Sequence, residues 1–169
     1  MSTGSSLARL IATFAICVSA GYADLYLFVS SIGVWYETLH RPSFIPSISI
    51  IYYGIIAVSF LLAITLYIIW NAAQTNRKAR IAVGLFLLAL VLNVAWFFIF
   101  FREHAVFFSL IAMAMLLLIV IATIDQSLKW AIMSVPFQVL YLLILSVITY
   151  ANVMIFLMNP GLPLAGVLF

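Results

Sequence analysis

Five long apolar runs, joined by short polar segments, make up most of this chain. A helix needs about 20 apolar residues to cross the hydrocarbon core of a bilayer. In lipid every backbone polar group must find its partner within the protein, so only helices and closed β-barrels span membranes. A barrel would show segments of about ten residues in which polar and apolar residues alternate, and these runs do not alternate. The runs therefore predict an all-α integral membrane bundle of five transmembrane helices.

Composition agrees with lipid as the main solvent of this chain. Hydrophobic residues make up 68% of the 169 residues and charged residues only 7%, whereas soluble domains carry roughly 25% charged residues. We expect one domain, 1–169, whose spans are 10–29, 48–70, 81–101, 105–124 and 130–158. The expected connections are a lid loop at 30–47, a polar loop at 71–80, a turn at 102–104 and a hinge at 125–129.

The basic residues predict how the spans are oriented, because cytoplasmic loops carry an excess of Lys and Arg. With five spans, five basic residues fall on the N-terminal side: Arg9, Arg77, Lys78, Arg80 and Lys129. Two fall on the other side, Arg41 and Arg102. We therefore expect the N-terminus in the cytoplasm and the C-terminus opposite. The first run is longer than the core of a secretory signal peptide, so we expect a spanning helix there.

The connection between the first two spans has the most distinctive sequence, WYETLHRPSFIP at residues 35–46. Each of its prolines restricts the preceding residue to extended geometry, which predicts a stiff, turning connection. Its large apolar groups should fold over the helices rather than stay in water. The residues alone leave open whether this segment simply joins two helices or closes a cavity between them. The large groups are Trp35, Tyr36 and Phe44.

The third span contains a polar amide, Asn93, which needs hydrogen-bond partners in lipid and should face the bundle interior. Trp96, Phe97 and Phe100 follow at i+3, i+4 and i+7, so they share its face. One interpretation is helix packing, with the amide contributing about 0.6–2 kcal/mol between helices. The other is a ligand pocket with an amide at its floor and aromatic walls.

These segments resemble the TspO/MBR family, the tryptophan-rich sensory proteins and mitochondrial translocator (peripheral benzodiazepine receptor) proteins. The family pattern W-Y-x-x-L-x-[KR]-P-S-[WF]-x-P-P is matched at Trp35, Tyr36, Leu39, Arg41, Pro42, Ser43, Phe44 and Pro46. Its A-L-N-x-x-W-x-x-x-F-F pattern is matched at Asn93, Trp96, Phe100 and Phe101. A weaker likeness, to a P-Y pair in the fifth span, lies at Pro136 and Phe137.

Departures from the family patterns predict a divergent member that keeps the scaffold and loses much of the tryptophan lining. Tryptophans usual in the family are replaced by Ser49, Ile55 and Leu140. The family's second proline falls on Ser47, and no basic residue follows Tyr150 to complete a cholesterol-recognition pattern. Photochemical porphyrin breakdown, attributed to some members through pocket tryptophans, is therefore not carried over. We expect no enzyme activity.

The resemblance implies that the chain binds, and transports or senses, a hydrophobic planar ligand such as a porphyrin (haem included) or a sterol. The alternatives are a structural or regulatory membrane protein acting through helix–helix contacts, and a small transporter. We expect no covalently bound cofactor, metal site or nucleic-acid partner; the partners would be the lipid bilayer, the ligand and a second copy in a homodimer. Tyr52 joins the expected ligand-binding residues because it lies near the lid. They are Trp35, Tyr36, Pro42, Phe44, Pro46, Tyr52, Asn93, Trp96, Phe100 and Phe137.

Two further features lie in the first span. Asp24 is the one acidic residue within any predicted span. A carboxylate at membrane depth is costly, and we expect this one to reach the nearby interface, towards Arg41 or Arg102. A ridge of small residues spaced by four allows close approach of another helix, within the chain or in a dimer. The ridge consists of Ala15, Ser19 and Ala23.

Overall fold

The five apolar runs form five long helices in a computed structural model that describes residues 3–160, with side chains from residue 5. They are α1 (Thr3–Ser31), α2 (Ile48–Thr75), α3 (Arg80–Phe97), α4 (Val106–Trp130) and α5 (Val135–Met158). Taken with the short helical turns that flank α3 and α5, each is long and apolar enough to cross a bilayer. The expected all-α membrane bundle is confirmed.

One connection lies later in the chain than its sequence predicts. Residues 125–129, expected to form a hinge, are the last turns of α4, where Lys129 and Asp125 form an i,i+4 ion pair of 2.6 Å. The chain turns instead through a 3₁₀ turn at Ile132–Ser134. Pro136 occupies the first turn of α5, where its missing N–H has no helical partner to lose. The polar residues at 125–129 end the apolar run but not the helix, because helical backbone hydrogen bonds form equally well outside the lipid.

The polar loop expected at 71–80 is likewise shorter in the structure. α2 continues to Thr75, and a 3₁₀ turn at Arg77–Ala79 leads directly into α3. Asn76 makes the break between them: its backbone is extended, and its side chain accepts a hydrogen bond from the backbone N–H of Lys78. Such a side-chain bond satisfies an amide at the start of the new turn. The connection is therefore compact and ordered.

α1 and α2 are in close contact at Gly21, which faces Ser59. A Cβ atom at Gly21 would collide with the Ser59 hydroxyl, so this crossing requires glycine. The small-residue ridge predicted in α1 lies elsewhere on that helix: Ala15 and Ser19 are exposed outside the bundle. The ridge is therefore not what packs α1 against α2.

The chain after α3 continues as a π-helical turn, Phe98–Arg102, before the connection to α4. A π turn inserts an extra residue into the helix and changes the direction in which side chains point. Phe100 and Phe101 are both buried, although consecutive residues in a regular helix point about 100° apart. His104 follows in a left-handed backbone conformation, with φ of 55°, and allows the chain to reverse into α4.

Candidate functional site

A cavity of about 500 Å³ lies between the helices near the lid. Its walls come from α1, α2, α3 and α5 and from the lid segment, with no contribution from α4 among its lining residues. Folded interiors are normally packed without voids much larger than a water molecule, whereas ligand pockets measure about 300–1,000 Å³. Its size and mainly apolar lining are typical of a ligand-binding site.

Three polar side chains form a hydrogen-bonded chain at the cavity wall. The Tyr141 hydroxyl donates to Asn93 Oδ1 at 3.0 Å, and Asn93 Nδ2 donates to Asp24 Oδ2 at 2.6 Å. All three are buried and all line the cavity. The chain of bonds fixes the orientation of the Asn93 amide and joins α5, α3 and α1 across the bundle.

Aromatic rings form the wall beside this polar chain. Trp96 and Phe100 lie nearly parallel, with ring centroids 5.6 Å apart and an angle of 22°. Trp35 packs edge-on behind Phe100, at 5.3 Å. Offset or edge-on aromatic pairs contribute roughly 0.5–1.5 kcal/mol beyond their buried area. Ring packing therefore supports this wall, and both Trp96 and Phe100 line the cavity.

The lid segment, residues 32–47, is attached to the bundle at several points. The Asn159 side chain holds the backbone of His40 with two hydrogen bonds, of 3.0 and 2.9 Å. Phe44 stacks on Tyr150 of α5 at 5.3 Å, and the Arg41 guanidinium lies 4.6 Å above the Tyr36 ring. Such contacts hold the lid over the end of the cavity.

A second fastening of the lid lies at the end of α3. Trp35 stacks on His104, with centroids 4.3 Å apart and an angle of 17°. Partial burial of the imidazole lowers its pKa from the ordinary value. A neutral ring therefore faces the indole at neutral pH.

Six of the ten residues expected to bind ligand line the cavity: Tyr36, Phe44, Pro46, Asn93, Trp96 and Phe100. Trp35 supports the wall from behind, and Pro42 lies in the lid without lining the cavity. Tyr52 is not among the residues that line the cavity and is 37% exposed, so the structure places it outside the cavity. Phe137 lies about one helical turn before Tyr141, beyond the end of the cavity.

The positions of the missing family tryptophans differ in their relation to the cavity. Ile55 lines it. Ser49 is exposed, and Leu140 is exposed on the lipid side of α5. Among these replacements only the one at Ile55 therefore changes the cavity wall of this chain.

The expectation for Asp24 was wrong. Its side chain is 4% exposed and binds Asn93 in the bundle interior, and neither Arg41 nor Arg102 contacts it. α1 continues seven residues beyond it to Ser31, about 10 Å of helix, which keeps the carboxylate away from the interface. Its spacing from other buried residues of α1 would have placed it on the buried face. Those residues are Cys17, Gly21 and Phe28.

Sequence reasoning also missed Tyr141, the last member of the polar chain. It is a single tyrosine in an apolar span, and only its place on the buried face of α5 distinguishes it from lipid-facing tyrosines such as Tyr150. Within residues 3–160 no group of three or more His, Cys, Asp or Glu side chains is arranged to hold a metal ion.

Comparison with known proteins gives a consistent result over nearly the whole chain. Residues 12–158 match the TspO/MBR family. The chain is also 26% identical over 160 residues to Protein CrtK of Rhodobacter capsulatus, an alignment that covers 92% of this chain and 96% of that protein. The match includes all five spanning helices, the lid and every residue of the cavity wall, and on this evidence the chain belongs to the TspO/MBR family.

Proposed function

We propose that this membrane protein binds a flat hydrophobic ligand, of the porphyrin or sterol class, in the cavity between its helices. The observation that carries the proposal is a cavity of about 500 Å³, mainly apolar, with a lid fastened over one end. Membership of a family of ligand-binding or transport proteins supports it. The proposed activity is binding rather than catalysis, and transport or sensing would follow from opening of the lid.

The shape of the wall favours a planar ligand over a flexible one. Trp96 and Phe100 lie nearly parallel and both line the cavity, so a flat ring system can pack beside them. A rigid ligand also loses little conformational freedom on binding. Both porphyrins and sterols meet these requirements.

Titration of the purified protein with protoporphyrin IX tests the proposal, followed by the shift of the porphyrin's own absorbance band. This signal does not depend on which tryptophans a variant retains. Asn93→Leu removes the amide at the floor and Trp96→Ala removes the stacking surface, and each should weaken binding about tenfold or more. Tyr52→Ala, in α2 but outside the cavity, is the matched control and should bind normally.

Circular dichroism and gel filtration of each variant show whether it remains folded. If folded Asn93→Leu and Trp96→Ala proteins bind protoporphyrin IX as tightly as the unmodified chain, the cavity is not the binding site.

A second candidate function is association with another copy of the chain through the small-residue ridge of α1. Ala15 and Ser19 are exposed and are not used in packing within the chain, and small residues allow close helix contact in lipid. Ser19→Leu should then shift the mass of the protein in detergent from dimer to monomer. An unchanged mass would exclude this interface.

We further infer from the distribution of Lys and Arg that the lid lies outside the cytoplasm. Glu37 in the lid and Gln74 at the end of α2 are both exposed, whereas the native Cys17 is buried. A membrane-impermeant maleimide applied to intact cells should label Glu37→Cys and leave Gln74→Cys unlabelled. The reverse pattern would invert the orientation.

A further inference from the structure

The lining of the cavity is buried on one side and exposed on the other. Every lining residue of α1 and α3 is buried, and so are Phe100 and Phe101. The exposed lining residues all belong to α2, α5 or the lid. Ile50 is 62% and Val147 59% exposed, which is too much for residues enclosed by protein, so the cavity opens to the outside of the bundle between α2 and α5. The exposed lining residues are Phe44, Pro46, Ile50, Gly54, Ala57 and Val147.

The other walls of the cavity are closed by direct contacts between helices. α1 meets α2 at Gly21 and Ser59, and the polar chain joins α1 to α3 and α3 to α5. α2 packs mainly against α1, and α5 mainly against α4. α2 also contacts the turn before α5, Ile132–Ser134, at the opposite end of the bundle. Near the lid, α2 and α5 are therefore held by other helices rather than by each other, and the opening lies between them.

The opening lies at the depth of the hydrocarbon core. Ala57 is nine residues after Ile48, the start of α2, and Val147 is eleven residues before Met158, the end of α5. These spacings correspond to about 14 Å and about 16 Å of helix, roughly half the thickness of a hydrocarbon core of about 30 Å. Neither α2 nor α5 contains a charged residue. Both edges of the opening are therefore suited to contact with acyl chains.

The lid forms the edge of the opening that is nearest to water. Phe44 stacks on Tyr150 of α5, and Pro46 lies just before the start of α2. The lid thus bridges the two helices on either side of the opening. A ligand in water would have to displace this bridge, whereas a ligand dissolved in the bilayer meets the opening directly.

We propose that the ligand enters the cavity sideways from the hydrocarbon core of the bilayer, between α2 and α5, and stays in contact with lipid when bound. The inference deepens the proposed function and rests on it, because it concerns the same cavity. It specifies the ligand class as molecules that dissolve in the bilayer. An apolar substituent of such a ligand, for example an alkyl side chain, can extend between the two helices into lipid while the ring system lies beside Trp96 and Phe100.

Fluorescence quenching of bound protoporphyrin IX tests the proposal on the unmodified full chain in lipid nanodiscs. The protein is kept in excess, and the absorbance shift shows that the porphyrin is bound. Lipids brominated on their acyl chains quench a fluorophore that they touch, and iodide quenches one that water reaches. Pockets leave about 10–30% of a ligand's surface uncovered, so if that part meets lipid the fluorescence should fall about twofold in brominated lipid. Iodide should have no effect.

Val147→Phe narrows the opening and provides a second arm of the test. It should reduce quenching by brominated lipid. It should also slow both association and dissociation of protoporphyrin IX by about tenfold, because an obstacle on the route raises the barrier in both directions. Leu143→Phe is the matched control, since Leu143 is equally exposed on α5 but does not line the cavity, and it should behave like the unmodified chain. Ile50→Phe, on the other edge, repeats the test if Val147→Phe does not fold.

The possible failures are distinguishable. If the unmodified protein gives no absorbance shift, the proposed function is wrong and this inference falls with it. If protoporphyrin IX binds but brominated lipid does not quench it, ligand binding stands and the lateral route is overturned. Quenching by iodide instead would place the opening in water. Unchanged rates in folded Val147→Phe and Ile50→Phe proteins would also overturn the route, and a change in dissociation alone would make these residues contacts of the bound ligand rather than edges of its entrance.

Discussion

Asp24 lies towards the lid end of the bundle and Gln138 towards the opposite end, and each has one buried side-chain oxygen without a partner in the described chain. The space beside them differs greatly. Asp24 borders the cavity of about 500 Å³. Gln138 borders a gap of about 10 Å³, about enough for one water molecule. The two residues therefore border spaces of very different size: one is as large as a ligand pocket, and the other holds about one water molecule.

The polar residues around these two positions also have different structural roles. Gln138 Nε2 donates to Ser127 Oγ and to Ser134 Oγ, both at 2.8 Å, so it holds the end of α4 against the start of α5. The chain through Asn93 leads instead to an open wall. The opposite end of the bundle is therefore held together by polar side chains, and the lid end contains the cavity in which we propose that the ligand binds.

Filling the cavity should have the largest effect on binding. Gly54 lines the cavity, and a side chain there would meet open space. Gly54→Phe should occupy the volume that a planar ligand needs and lower affinity for protoporphyrin IX by about a hundredfold or more. The fold should tolerate it, because glycine within a helix is itself unfavourable by about 1 kcal/mol. Absorbance titration measures the affinity.

Gly84 offers a matched control for this change. It is also within a helix, has open space around it and does not line the cavity. Gly84→Phe should bind protoporphyrin IX normally. Normal binding by Gly54→Phe as well would show that the ligand does not occupy this volume.

Loosening the lid should affect exchange of the ligand more than its affinity. Asn159→Ala removes both hydrogen bonds to the His40 backbone, a loss of about 1–2 kcal/mol if each contributes about 0.5–1 kcal/mol. The protoporphyrin IX dissociation rate should rise by about tenfold, as measured by stopped-flow transfer to excess detergent. His40→Ala keeps the backbone acceptor and should not change the rate. Equal rates in Asn159→Ala and the unmodified chain would mean that this contact does not close the lid.

At the opposite end, Gln138→Leu should change stability and leave binding intact. It removes one hydrogen bond to α4 and one to the turn that precedes α5. A hydrogen bond between helices is worth about 0.6 kcal/mol in membrane proteins, so we expect about 1 kcal/mol less stability in a denaturant titration. Protoporphyrin IX affinity should be unchanged. A fall in affinity comparable with that of Asn93→Leu would remove the distinction between the two ends.

The features of the bundle differ in how far they could be predicted from the sequence. The helices follow from apolar length alone, and the aromatic wall follows from the spacing of Trp96 and Phe100 after Asn93. The hydrogen-bonded chain Asp24–Asn93–Tyr141 does not follow from the sequence, because its members come from three different helices. The sequence of one helix shows which face is buried but not which residues of other helices that face contacts. The expectation for Asp24 was based on its distance along the sequence from the end of the predicted span, and that distance placed the residue too close to the interface. Helix α1 extends further than its apolar run, and the depth of a residue depends on that full length.

The smallest effect we expect is a pH dependence at the lid. Partial burial keeps the pKa of the His104 imidazole below its ordinary value, although the neighbouring Glu103 opposes this and Arg102 adds to it. The unfolded chain therefore binds a proton at a higher pH than the folded one, near pH 6.5. Below that pH the unfolded state gains protons first, so stability falls with pH until the folded imidazole is also protonated. Thermal unfolding should show a modest loss between pH 7 and pH 5. His104→Asn, whose side chain tolerates the left-handed backbone, should lose this dependence, whereas His40→Asn should retain it; an unaltered pH profile in His104→Asn would assign the effect to another group.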